Sequence, residues 1–80
     1  MSKIILYSQP DCPPCEYAKQ FLKTSGFTYI EKNIKTDHSA KRELMNRYNS
    51  FSTPTFVIDN EVVITGFDFD ALKEALNILE

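Results

Sequence analysis

The pattern of hydrophobic and polar positions predicts a series of short strands and helices. Lys3 to Tyr7 is a first strand, whose consecutive apolar residues indicate a central strand covered on both faces. From Cys15 the spacing becomes helical, with small or apolar residues at positions 18, 21, 22 and 25, and Gly26 ends this helix. Phe27 to Ile34 alternates and predicts a second, less buried strand, reached by a right-handed parallel crossover.

The next segment predicts a second helix. Thr36 or Asp37 can cap it, and it is expected to run to about Tyr48. Ala40, Leu44 and Tyr48 share its inner face by helical spacing. His38, the only histidine, falls in the first turn and is expected to be solvated, with no catalytic role.

The last part of the chain predicts a hairpin and a third helix. Thr55 to Ile58 and Val62 to Thr65 are β-rich runs, and the turn residues between them fit an antiparallel hairpin. Asp68 is the expected N-cap of the third helix, with Phe67 and Leu72 in position to form a hydrophobic staple. The apolar stripe of this helix is expected to continue through Leu72, Ala75, Leu76 and Leu79.

The order β-α-β-α-β-β-α predicts an α/β domain, with a mixed four-stranded sheet flanked by three helices. Eighty residues make one domain, 1–80, that buries only about 60% of its unfolded surface. The net charge is −2 and no basic stripe is present, so nucleic acid is not an expected partner. No apolar run approaches the roughly 20 residues of a membrane helix, and Met1-Ser2-Lys3 leads straight into a strand, so we expect a cytoplasmic protein without an export signal. The protein is expected to be a monomer.

The segment Ser8 to Cys15 contains the only two cysteines and three of the four prolines. If Cys12 is the N-cap of the first helix, Pro13 and Pro14 take the first helical positions, where a missing N–H costs nothing. Cys15 then lies one turn on, with Cβ atoms roughly 5–6 Å apart against the ~3.5–4.5 Å of a disulfide. A small adjustment joins or separates the two sulfurs, so the spacing indicates a dithiol switch.

A metal site is the alternative interpretation of the cysteine pair. Zinc needs four ligands, and beyond the two thiols the chain offers only His38, so no zinc site within one chain is expected. The alternative function is a module in which the exposed cysteines of two chains share a metal or an iron–sulfur cluster. No bound cofactor and no metal ligand is predicted for the single chain.

The CxxC motif at a helix start, the element order and Thr53-Pro54 before the third strand together resemble the glutaredoxin family, which has the thioredoxin fold. The resemblance covers the whole chain. It implies a thiol-disulfide oxidoreductase in which Cys12, the exposed thiol at the helix N-terminus, attacks a substrate disulfide and Cys15 resolves the mixed disulfide. It also implies a cis peptide bond at Pro54, which turns the preceding backbone outward to pair with a bound peptide or glutathione.

The active-site sequence departs from the usual pattern of the family. Pro14 replaces a residue with a backbone N–H, and Gln9 stands where Lys or Arg is common. Glu16 adds a negative charge, which Lys19 can partly offset. The Cys12 thiolate should therefore be less stabilised than in a typical glutaredoxin, which implies a moderately reducing protein.

The segment Thr65 to Asp70 resembles the corresponding segment of the NrdH-redoxins, which take electrons from thioredoxin reductase and reduce ribonucleotide reductase. Thr65, Gly66, Phe67 and Asp70 match that pattern, while Phe69 replaces its Pro. Between the cysteines stands Pro-Pro, where NrdH-redoxins usually have Val-Gln. The electron source implied by the resemblance is either glutathione, or NADPH through thioredoxin reductase, and the substrates are disulfide-containing proteins such as ribonucleotide reductase. Glutathione would bind at Gln9, Thr53 and Asp68. A shallow apolar docking platform is expected from Pro13, Pro14, Thr53, Pro54, Gly66 and Phe67.

Overall fold

The structure, a computed structural model, describes residues 3–76 and confirms the predicted order of elements. The elements are β1 (Ile4–Ser8), α1 (Pro13–Thr24), β2 (Ile30–Asn33), α2 (His38–Asn46), β3 (Thr55–Ile58), β4 (Val62–Thr65) and α3 (Phe69–Ala75). No helix within these residues is long and apolar enough to cross a membrane.

The four strands form one mixed sheet in the order β2-β1-β3-β4. β1 runs parallel to β2, with Ile5 opposite Ile30, and antiparallel to β3, with Leu6 opposite Phe56. β3 and β4 form the predicted antiparallel hairpin. Every residue of β1 and β3 is buried, as expected for the two central strands of a sheet that is covered on both faces.

The side chains of β1 alternate between two hydrophobic clusters, one on each face of the sheet. Ile4 and Leu6 pack with residues of α1 and α3, including Leu22 and Leu72. Ile5 and Tyr7 point to the other face, where they pack with Ala40 and Leu44 of α2 and with Val57. Because successive side chains of a strand point to opposite faces, β1 packs against α1 and α3 on one face of the sheet and against α2 on the other.

The second strand is shorter than the predicted range Phe27 to Ile34. Gly26 adopts a φ of +81°, and the N–H of Phe27 donates to the carbonyl of Leu22 at 2.9 Å, so the first residues of the range close the end of α1. Phe27 and Tyr29 pack against the core as partly buried side chains. β2 itself has two exposed and two half-buried residues, which confirms the lower burial predicted for it.

Helix α2 ends two residues before the predicted position at Tyr48. Asp37 is its N-cap and accepts a hydrogen bond from the N–H of Ala40, which decides between the two predicted capping residues. Beyond Asn46 the chain turns, and Asn49 adopts a φ of +56°, outside the helical region. Tyr48 still packs against the core beside Tyr7, so the apolar spacing predicted its burial correctly but not its conformation.

The hairpin turn and the start of the third helix have the backbone conformations and the cap that their own residues predict. The connection between β3 and β4 has three residues, 59–61. Asp59 and Asn60 adopt φ values of 55° and 59°, and the N–H of Glu61 donates to the carbonyl of Ile58 at 3.1 Å, so these two are the left-handed central pair of the turn. Asp68 is the N-cap of α3 and accepts from the N–H of Ala71 at 3.1 Å, as predicted. Leu72 and Leu76 are buried, and the predicted Leu79 lies outside the described residues.

Candidate active site

The two cysteines form a disulfide across the first turn of α1, with Cα atoms 5.2 Å apart. Cys12 is the N-cap, as predicted, and its Sγ accepts the N–H of Cys15 at 3.2 Å. Pro13 and Pro14 are the first two helical residues and are exposed. Cys12 is half-buried and Cys15 has no exposed surface. A partner can therefore reach only the first sulfur, and the second lies behind it inside the helix.

Thr53 joins the loop before β3 to the cysteine pair. Its Oγ1 lies 3.7 Å from the Sγ of Cys12 and accepts a hydrogen bond from Nε2 of Gln9 at 3.0 Å. Since the side-chain amide of Gln9 is the donor in that bond, the hydroxyl proton of Thr53 remains available to the sulfur. Gln9 and Thr53, both predicted as site residues, are thus brought to Cys12.

Hydrogen bonds of two buried hydroxyl groups anchor the loop that carries Thr53. Thr55 is fully buried, and its hydroxyl donates to the carbonyl of Ser52 at 2.7 Å. The hydroxyl of buried Ser50 lies 2.9 Å from that of Thr55. These bonds fix the backbone on both sides of Thr53 and hold its hydroxyl facing Cys12.

The peptide bond between Thr53 and Pro54 is cis, which confirms the expectation from the family resemblance. Pro54 is completely buried, however, so its ring adds nothing to the expected apolar platform. Its carbonyl accepts the N–H of Gly66 at 2.7 Å, and this bond places Gly66 beside the cis-proline loop. Gly66 has a φ of +74°, a conformation that favours glycine.

Phe67 and Asp68 extend away from this contact. Phe67 is 37% exposed, and its ring packs against Phe21 at 5.8 Å and against Phe69 at 6.4 Å between ring centroids. The predicted staple between Phe67 and Leu72 stays a prediction. Within residues 3–76, no hydrogen bond or ion pair joins Asp68 to Gln9, Thr53 or Cys12, and its defined contact is the helix cap.

Charges near the helix start are arranged around Lys19. Its Nζ lies 2.9 Å from a carboxylate oxygen of Glu16 and 3.3 Å from one of Glu31, and the hydrogen bond to Glu16 is the main reason that the pKa of Lys19 is raised. The hydroxyl of Ser8 donates to Glu31 at 2.7 Å, and this bond is the main cause of the lowered pKa of Glu31. Lys19 is therefore shared by two carboxylates, so its charge is already compensated and is not free to stabilise a thiolate at Cys12.

Sequence reasoning missed two groups of residues near the site. Ser8 and Glu31 meet Lys19 because the parallel pairing of β1 with β2 sets Leu6 opposite Glu31. A groove on the other side of Thr53 is also lined by the basic side chains of Lys35, His38 and Lys41. Ser8, Glu31 and Lys19 leave no short-range signal, because they come from different elements and meet only in the folded chain. Lys35, His38 and Lys41 are close in sequence, but only the folded chain places them in one groove with Thr53.

The described residues include no group of three or more His, Cys, Asp or Glu side chains that could hold a metal ion. Cys12 and Cys15 are bonded to each other, and His38 lines the groove with Lys35 and Lys41. The arrangement in residues 3–76 is therefore that of an accessible disulfide.

Comparisons with known proteins agree with this site. The family model described as Glutaredoxin matches residues 4–63. A relative from Clostridium pasteurianum, an uncharacterized glutaredoxin-like 8.6 kDa protein in a rubredoxin operon, is 28% identical over 65 residues, which are 81% of this chain and 85% of the relative.

Two solved structures show the fold. A mutant of the thioredoxin-like protein BC3987 is 48% identical, with a TM-score of 0.92 over 99% of this chain and 100% of that one. The glutaredoxin-like protein NrdH-redoxin from Escherichia coli is 23% identical, with a TM-score of 0.77 over 90% of this chain and 92% of that one. The predicted thioredoxin fold is thereby confirmed. Because the family model spans both cysteines and the cis-proline, the chain belongs to the glutaredoxin family of thiol-disulfide oxidoreductases.

Proposed function

We propose that this protein is a dithiol electron carrier that reduces disulfide bonds in other proteins. The observation that carries the proposal is the position of the two sulfurs. Cys12 is half-buried at the start of α1, and Cys15 is completely buried one turn further on, with Cα atoms 5.2 Å apart. An accessible sulfur backed by a second sulfur within bonding distance is what a two-step exchange needs.

The reaction transfers two electrons and two protons. The thiolate of Cys12 attacks one sulfur of the substrate disulfide, forming a mixed disulfide and releasing the first substrate thiol. The thiol of Cys15 then loses its proton and attacks Cys12, which forms the Cys12–Cys15 disulfide and releases the second substrate thiol. The protein dithiol is oxidised and the substrate disulfide is reduced, so no bound cofactor is needed.

The backbone before the cis-proline supports docking of an extended substrate. Within residues 3–76, neither the N–H nor the carbonyl of Thr53 has a hydrogen-bond partner, whereas the carbonyl of Pro54 is occupied by Gly66. A substrate segment can therefore pair with Thr53 as an added strand. Pro13 and Pro14, which follow Cys12 at the start of α1, are both exposed and would supply apolar contact.

Two electron donors fit the site: glutathione, or NADPH through thioredoxin reductase. Glutathione would use Gln9 and Thr53, which are joined beside Cys12, and the carboxylate of Asp68. The match of Thr65, Gly66, Phe67 and Asp70 to the NrdH-redoxin segment favours thioredoxin reductase as the donor. Incubating the oxidised protein with each system and counting free thiols identifies the donor.

We propose further that the protein acts as a cytoplasmic monomer, with ribonucleotide reductase among its substrates.

The proposed chemistry is tested with two variants. Cys12→Ser should abolish reduction of a protein disulfide such as that of insulin, because the attacking sulfur is lost. Cys15→Ser should still attack but should accumulate as a mixed disulfide, visible by mass spectrometry as a covalent adduct that dithiothreitol removes. Turnover by the Cys12→Ser variant at the wild-type rate would refute the proposal.

A further inference from the structure

We propose that the groove lined by Gln9, Lys35, His38, Lys41 and Thr53, called the basic groove below, binds an acidic segment of the substrate protein beside its disulfide. This inference rests on the proposed function and names its substrate class. It concerns which disulfides the protein reduces fastest, and it leaves the exchange chemistry at Cys12 unchanged.

One end of the basic groove lies beside the reacting sulfur, although Cys12 does not line it. Gln9 and Thr53 form one end of it, and the Oγ1 of Thr53 lies 3.7 Å from the Sγ of Cys12. Lys35, His38 and Lys41 line the rest and come from the β2–α2 connection and the first turns of α2. All three are exposed to solvent. A chain that pairs with the backbone of Thr53 would therefore place its neighbouring side chains against the ammonium groups of Lys35 and Lys41.

The charges of the basic groove are not balanced within the described residues. Neither Lys35 nor Lys41 has an ion-pair partner in residues 3–76, whereas Lys32 is paired with Glu43 at 3.0 Å and Lys19 with two carboxylates. Neither acidic side chain near them in sequence lines the groove: Asp37 caps α2 through Ala40, and Glu43 is paired with Lys32. The groove is thus positive on a protein whose net charge is −2, which a substrate of opposite charge can use.

A second surface depression has acidic lining residues. It is lined by Cys12 itself and by Asp11, Glu16 and Tyr17, of which Glu16 is paired with Lys19, and it shares no lining residue with the basic groove. Negative charge at Asp11 in the depression that includes Cys12 and positive charge in the basic groove beside Thr53 favour one orientation of a charged substrate. The acidic residues of a substrate are therefore attracted to the basic groove and repelled by Asp11. The sign of the charge beside the substrate disulfide thus determines the orientation in which the substrate docks.

The rate advantage of an acidic substrate should come from charges close to its disulfide and should weaken as salt is added, because the Debye length is about 8 Å at physiological ionic strength. It should appear in the second-order rate constant with substrate, since charged groups at the edge of an interface act mainly on association. It should not appear with a small uncharged disulfide, which has no segment to occupy the groove.

The test measures single-turnover reduction of peptide disulfides. The protein is reduced, freed of reductant and mixed with two peptides of equal length that contain the same disulfide loop, flanked by three Glu or by three Lys. Samples are quenched in acid and separated by chromatography. We expect the Glu peptide to react about fivefold faster at low salt, and this preference to disappear near 0.5 M salt.

Lys41→Glu and Lys35→Glu are the diagnostic variants, and Lys3→Glu, with the same charge change at the far end of β1, is the matched control. The first two should reverse the preference, while the control should keep at least half of it. All three should reduce uncharged dithiodipyridine within about twofold of the wild-type rate, because Cys12 is unaltered.

Three outcomes separate the possibilities. Equal rates for both peptides with wild-type protein would overturn the basic groove as a substrate site while leaving the proposed function intact. Loss of reduction of dithiodipyridine and both peptides would instead contradict the proposed function. If Lys41→Glu slows reduction of oxidised glutathione but leaves both peptide rates unchanged, the groove binds the small anion and the proposal of an acidic protein segment is wrong.

Discussion

The Sγ of Cys12 lies 3.7 Å from the Oγ1 of Thr53, a residue 41 positions further along the chain. The contact joins the start of α1 to the loop before the cis-proline. It makes the threonine hydroxyl a neighbour of the reacting sulfur, and since Gln9 donates to the same oxygen, the hydroxyl proton can point at the thiolate.

Thr53→Val should slow the first exchange step. The variant keeps the shape of the side chain but removes the hydroxyl, so one hydrogen bond to the Cys12 thiolate is lost, and we expect a rate about fivefold lower. The measurement is reduction of dithiodipyridine by the reduced protein as a function of pH. Thr53→Ser, which keeps the hydroxyl, should restore most of the rate, and a Thr53→Val variant with an unchanged pH profile would contradict the role.

Pro14→Ala should make Cys12 more reactive in the reduced protein. An N-cap side chain accepts hydrogen bonds from the second and third helical N–H groups, and here only Cys15, the third, provides one, at 3.2 Å. Alanine at the second position adds a donor, so alkylation by iodoacetamide at pH 6 should be about threefold faster and the reduction potential should rise. Pro13→Ala is the matched control, because the first helical N–H does not reach the cap. Equal effects of the two substitutions would argue against this explanation.

Glu43→Gln should destabilise the protein in a pH-dependent way. The buried Tyr7 hydroxyl donates to Glu43, and Lys32 lies 3.0 Å from the same carboxylate oxygen, so the pKa of Glu43 is lowered, chiefly by the bond from Tyr7. Burial, followed by the bond to Glu43, raises the pKa of Tyr7. A lowered carboxyl pKa contributes stability above the pKa of the unfolded chain, and that stability is lost as the pH falls through the folded value.

We therefore expect Glu43→Gln to lower the free energy of unfolding by about 1–2 kcal/mol at pH 7 and by much less at pH 3. Urea unfolding followed by circular dichroism at both pH values measures this. Glu61→Gln, on the exposed hairpin turn, is the control and should change the free energy by less than about 0.5 kcal/mol. A loss of equal size at both pH values would show that the charge of Glu43 is not responsible.

Asp68 has a defined structural role, so its substitutions separate capping from ligand binding. Asp68→Ala removes the bond to the N–H of Ala71 and should cost about 1 kcal/mol of stability. Asp68→Asn keeps the cap but removes the negative charge, so it should retain wild-type stability. If Asp68→Asn also loses reduction of glutathione mixed disulfides while reducing protein disulfides normally, the carboxylate holds glutathione. If Asp68→Asn reduces both kinds of disulfide at the wild-type rate, Asp68 acts only as a helix cap.

Local structure was predictable wherever neighbouring residues decide it. The caps at Cys12, Asp37 and Asp68 depend on a side chain and the next three residues, and all three are confirmed. The hairpin turn depends on two residues that tolerate positive φ, Asp59 and Asn60. The limits of β2 and the end of α2 were wrong, because apolar spacing predicts which side chains are buried but not where the backbone leaves a regular conformation.

The amino-acid sequence by itself determined the reacting pair, since two cysteines three positions apart at a helix start lie within reach of each other in almost any fold. Only the tertiary structure decided what surrounds them. Thr53 and the basic groove reach Cys12 through strand pairing and loop packing across tens of residues, and Pro54 became buried although a platform role was expected. The physical reason is that spacing along a helix fixes distances over one turn, whereas contacts between separate elements depend on how the whole core packs.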